Sequence, residues 1–107
     1  MKKIEVVCPK LKLEELKKVI YEFDIGGFLI TNLTGVGFHR GAEKHRGLKY
    51  VEMPKIKVEA VIKDADVDVI IAELLKVLQT GKIGDGKIFI YPADNVIRVR
   101  TGEKEAI

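Results

Sequence analysis

Twice within 107 residues a short β-rich run is followed by an amphipathic helical stripe and then by a second β-rich run, and this repeated order leaves few folds open. In the first half, residues 3–8 form such a run, and Pro9 ends it because proline offers no ladder donor and restricts the residue before it. Leu13, Leu16, Val19, Ile20 and Phe23 then recur at the spacing of one helical face, with Glu14 and Lys18 an i,i+4 pair on another, which predicts a helix over about 12–23. Gly26 and Gly27 close it, and residues 28–33 read as the second strand.

In the second half, Pro54 introduces residues 55–62, where charged and apolar side chains alternate as in a strand with one wet face. Asp64 or Asp66 can cap a second helix whose stripe is Val67, Ile70, Ile71, Leu74, Leu75 and Leu78. Residues 87–91 and 95–100 follow as short strands. The expected fold is α+β: a ferredoxin-like βαββαβ plait, one antiparallel sheet with two helices on one face, forming a single domain over residues 1–107.

Between the second helix and the strand after it lies Thr80-Gly81-Lys82-Ile83-Gly84-Asp85-Gly86-Lys87. Three glycines in six residues let the chain enter positive φ and turn several N–H groups toward one point, the outline of an anion site. Lys82 and Lys87 add charge to it. On a strand, Arg98 and Arg100 would share a face and make a phosphate clamp. A structural reading stands beside this one: Gly81 as a helix C-cap, Gly84 to Gly86 as a turn, and the arginines as a solvated face. The order helix to strand excludes a Walker loop, which runs from strand to helix.

Residues 35–53 carry glycine and charge with no apolar period, and a loop of that length in a small domain is usually functional. The 19 basic and 16 acidic residues are interspersed, so the net charge of +3 favours anionic ligands weakly and predicts no nucleic-acid stripe. The single cysteine, Cys8, excludes a disulfide framework and suggests a reducing compartment. No apolar run approaches the roughly 20 residues that span a bilayer, so no membrane insertion is expected and the cytoplasm is the expected location. His39, His45 and a remote cysteine make a weak ligand set, and no metal site is expected. No catalytic triad, cysteine–histidine pair or carboxylate pair is evident, so no enzyme is expected.

Several motifs together resemble the PII nitrogen-regulatory signal-transduction proteins from end to end: Gly35-Val36-Gly37, Arg46-Gly47-Leu48-Lys49-Tyr50, residues 54–59, and above all residues 80–89 with Arg98-Val99-Arg100-Thr101-Gly102-Glu103. The resemblance implies a homotrimer holding ATP or ADP in clefts between subunits. Gly84, Asp85, Gly86, Lys87, Arg98 and Arg100 would hold the phosphates, with Gly35, Gly37 and Val61 beside the nucleotide. Residues 35–53 would be the T-loop, an arm that docks on a regulated protein such as a membrane transporter or a metabolic enzyme.

The chain departs from that family's pattern at Phe38 and His39, where arginine and glutamine are usual, and at Leu29, where threonine is common. Lys55 matches the lysine that meets 2-oxoglutarate, with His39 a second anion contact, but loss of the glutamine predicts weakened or absent 2-oxoglutarate binding. Magnesium would accompany ATP. Tyr50 stands where some members are uridylylated, and is otherwise a partner contact. Two alternatives stay open: a divergent adenine-nucleotide or small-anion sensor deaf to 2-oxoglutarate, and a small nucleotide hydrolase using the same cleft.

Overall fold

The computed structural model describes residues 1–40 and 48–107, with side chains described for 1–37 and 50–107. Four strands and two helices alternate as β1 (Lys2–Pro9), α1 (Leu13–Tyr21), β2 (Leu29–Arg40), β3 (Leu48–Ile62), α2 (Val67–Leu78) and β4 (Lys87–Pro92). The sheet order is β2-β3-β1-β4, and every neighbouring pair is antiparallel. This is the expected ferredoxin-like βαββαβ plait.

Strand alternation separates the two faces of the sheet. Ile4, Val6 and Cys8 of β1 and Ile56, Val58, Ala60 and Ile62 of β3 point to the covered side and are buried. There they meet Leu16, Val19 and Ile20 of α1 and Ile70, Leu74 and Leu78 of α2 in one core cluster. Fully burying a side chain of this size contributes about 1.5–3 kcal/mol. The opposite face is charged: Lys3 lies 3.3 Å from Glu59, and Glu59 lies 3.1 Å from Lys57.

Four local expectations are corrected. Glu14 pairs with Lys17 at 3.1 Å and not with Lys18. Asp66 is the N-cap residue of α2 but makes no side-chain cap bond, and Asp64 belongs to the preceding 3-10 turn. Residues 35–40 and 48–53 are strand, because β2 and β3 stay in register out to Arg40↔Leu48 and satisfy each other's backbone groups without needing an apolar face. Residues 95–100 are not a strand, because their backbone groups bond locally. Arg98 N–H donates to the Glu103 carbonyl at 2.8 Å, and the Gly102 N–H returns to the Arg98 carbonyl at 2.7 Å.

Candidate functional site

The α2–β4 connection is built around one carboxylate. Asp85 accepts from the Thr80 N–H at 2.7 Å, the Gly81 N–H at 3.0 Å and the Thr80 hydroxyl at 2.5 Å. These donors, the Thr80 hydroxyl first, hold the Asp85 carboxyl below the usual aspartate range. Gly81, Gly84 and Gly86 all have φ between +80° and +106°, the region open to glycine at little cost. Gly86 has a second constraint: a Cβ there would run into the Val7 carbonyl, so the loop packs directly on the β1 backbone.

Beside this loop is a cavity of about 380 Å³ into which β2, β3 and the loop all turn residues. Gly35, Gly37, Lys55, Gly84, Gly86 and Lys87 line it, six of the residues singled out from the sequence, with Met53, Ile83 and Phe89 as apolar wall. Lys55 is buried, and its ammonium donates to the Gly84 carbonyl.

Val61 and Arg98 line a different cavity of about 620 Å³, shared with Gly27, Leu29, Glu59 and Ile107. The two candidate groups therefore do not converge within one chain. Arg98 is engaged with Glu103 at 2.6 Å. Arg100 is exposed and lines neither cavity, so the expected pair of parallel arginines is not formed: a turn, not a strand, carries them. Asp85 directs its carboxylate into its own loop. Tyr50 is exposed on β3, and His39 pairs across the arm with Lys49, its side chain lying outside the described residues, as does the whole of His45.

The family model for the nitrogen regulatory protein P-II matches residues 1–103. The chain belongs to the nitrogen regulatory protein P-II family. Among curated P-II proteins, that of Rhodospirillum rubrum is 44% identical over 107 residues, covering 97% of this chain and 96% of the relative. P-II 1 of Escherichia coli K12 is 40% identical over 108 residues, covering 98% and 96%. Among solved structures, the B. subtilis GlnK-ATP complex superposes with a TM-score of 0.80 at 31% identity, covering 96% of this chain and 90% of that one. B. subtilis GlnK gives 0.78 at 33% identity, covering 96% and 93%.

Sequence reasoning on this P-II chain passed over the wall that faces Arg98. Lys3, Gly26, Gly27 and Glu59 all line the larger cavity. Glu59 is bracketed by Lys57 and Lys3, whose hydrogen bonds hold its carboxyl below the usual range. The alternation of Lys57, Val58 and Glu59 placed that carboxylate on the wet face of a strand, but nothing local said that the chain from 95 to 107 folds back over it. Asn95 makes that return, its side-chain oxygen accepting from the N–H groups of Val96 at 2.8 Å and Glu105 at 2.9 Å.

Proposed function

We propose that this P-II chain binds ATP or ADP in clefts formed between copies of itself in a homotrimer, and that the bound nucleotide sets the arm 35–53 for a regulated partner protein. What supports this reading is the division of the site. The phosphate-suited residues Gly84, Gly86 and Lys87 line one cavity, while Arg98 and the largely apolar wall of Gly27, Leu29 and Val61 line another on the same chain. Each is half of a site that a second copy would complete, and the solved GlnK-ATP complex is similar to this chain over 96% of its length.

In this reading the loop donors, Lys87, Arg98 and Arg100 meet the phosphates, and Asp85 acts through its backbone and by closing the loop. ATP and ADP differ by one charged group, and a clamp of cations converts that difference into different arm conformations. Among the described residues no carboxylate lines the cavity beside the loop, so a magnesium ion accompanying ATP would take its ligands from phosphate and water. The partner is a membrane transporter or a metabolic enzyme, and the setting is cytoplasmic. No described helix is long and apolar enough to cross a membrane. The function is regulatory, without turnover.

Calorimetry with ATP, ADP and AMP tests the reading, alongside sedimentation for the trimer. Binding of ATP and ADP to a trimer is expected. Failure of all three nucleotides at millimolar concentration, or a monomer in solution, removes it. Two observations favour a refinement: Lys55 is already engaged by Gly84, and Phe38-His39 replaces the usual pair, so 2-oxoglutarate is not the signal. Titrating 2-oxoglutarate into the Mg-ATP-loaded protein checks this, with no heat expected. Phosphate release over many turnovers, abolished in Lys87→Ala, would instead favour the hydrolase.

A further inference from the structure

Among the described residues Lys55 is the one buried charged side chain, only 8% exposed, and it makes no salt bridge there. Burying an ammonium is costly unless it is hydrogen-bonded, and the partner it has is a backbone oxygen, the Gly84 carbonyl. That choice has a geometric consequence. The peptide between Gly84 and Asp85 is trans, so the N–H of Asp85 points opposite to the Gly84 carbonyl. Gly84 sits at φ +101°, where a glycine accepts a wide range of ψ, so rotation about Gly84 ψ and Asp85 φ can exchange one orientation of this peptide for the other, as between type II′ and type I′ turns. In one orientation the peptide offers an anion a donor; in the other, a carbonyl oxygen that repels it.

We propose that Lys55 is a positioning residue: by holding the Gly84 carbonyl it sets the Gly84–Asp85 peptide so that the loop presents N–H groups to a phosphate. Lys55 also transmits this from the arm. It sits on β3 two residues from Met53, which pairs with Gly35 at the arm's base, and the Met53 sulfur lies 3.7 Å from where a Gly84 Cβ would be. A Cβ on Gly35 would lie 2.7 Å from Lys55 Cγ, so the lysine runs tightly past the arm's other strand. A shift of either strand at that point moves the ammonium, and with it the peptide.

For its ligand the inference rests on the nucleotide reading, so the test separates the two. Amide ¹H–¹⁵N spectra of the ligand-free protein and calorimetry with ATP are recorded for wild type, Lys55→Met, Lys55→Arg and Gly35→Ala. Lys55→Met keeps length and burial while removing the donor; Gly35→Ala keeps the ammonium but displaces it. Both are expected to split or broaden the Asp85 and Gly86 resonances with core resonances unchanged, and to weaken ATP about tenfold, the effect of one lost hydrogen bond to a charged group. Lys55→Arg, which can still donate, is expected to restore single resonances. Unchanged Asp85 and Gly86 resonances in Lys55→Met overturn the proposal, whether ATP binding falls, which would make Lys55 a direct phosphate ligand, or holds. If wild type binds no nucleotide, the function falls, and the ligand-free spectra still decide the role of Lys55. Should Lys55→Met not fold, the Asp85 and Gly86 resonances of Gly35→Ala decide in its place: split or broadened supports the proposal, unchanged overturns it.

Discussion

Thr80 donates both its backbone N–H, at 2.7 Å, and its hydroxyl, at 2.5 Å, to the single carboxylate of Asp85 five residues on. The bond pair closes the loop before any ligand arrives, so an acidic residue in a cationic site has a structural task and its backbone stays free for another. A carboxylate held low by such donors contributes its full share of loop order above about pH 4, the ordinary aspartate range, and loses it as pH falls through the lowered value. The Thr80 and Gly81 amide shifts are expected to titrate with a midpoint below that range. In Asp85→Asn the titration is expected to vanish; its persistence would assign it to another group.

Gly86 and Gly37 line the same cavity but differ in what surrounds them. Gly86→Ala must clear the Val7 carbonyl and hold φ near +106°, whereas a Cβ at Gly37 meets nothing within 4 Å. Thermal unfolding is expected to show a loss of about 2–4 kcal/mol for Gly86→Ala and a change within about 0.5 kcal/mol for Gly37→Ala.

Arg98 and Glu103 form an exposed pair, which contributes at most about 1 kcal/mol to stability. Arg98→Ala is therefore expected to leave the unfolding midpoint nearly unchanged while weakening ATP about tenfold, through loss of a charge-assisted bond. Calorimetry beside a melting curve checks both halves. A variant that lost stability and kept affinity would place Arg98 in the scaffold only.

Leu74 and Leu75 are neighbours on α2 with opposite surroundings, the first fully buried and the second 42% exposed. Leu74→Ala is expected to cost about 2–5 kcal/mol by leaving a cavity between helix and sheet, and Leu75→Ala about 0.5 kcal/mol. Denaturant titration distinguishes them. Equal costs would mean that another chain covers Leu75.

Cys8 is buried, and burial pushes its thiol up while the Lys55 and Lys12 charges pull it down. Because the thiolate is the reactive form, Cys8 is expected to resist an aromatic disulfide reagent at neutral pH in the native protein and to react at once in denaturant. Fast native labelling would mean that β1 is open to solvent.

The elements were legible where a periodic stripe had a core to face. The Leu16–Val19–Ile20 face and the Ile56–Val58–Ala60 alternation predicted α1 and β3 because burial enforces each period. Where pairing is through backbone alone, periodicity is silent, so the β2–β3 arm read as a loop. Arg98 and Arg100 show the opposite error: a period of two was inferred from a short apolar-cationic alternation, but Asn95 and Gly102 supply the side-chain acceptor and the positive φ that turn the chain instead. The glycine loop was legible because positive φ has few residues that accept it.

By itself the sequence determined the order of the two helices and of the four strands up to Pro92, the face each turns inward and the glycine loop that suits an anion, because these follow from local sterics and from which side chains avoid water. Only the tertiary structure decided that the loop residues and Arg98 line separate cavities, and that Lys55 is bound to the Gly84 carbonyl. Those relations join residues far apart in the chain, and their distances are set by how strands register and loops return, which no local pattern encodes.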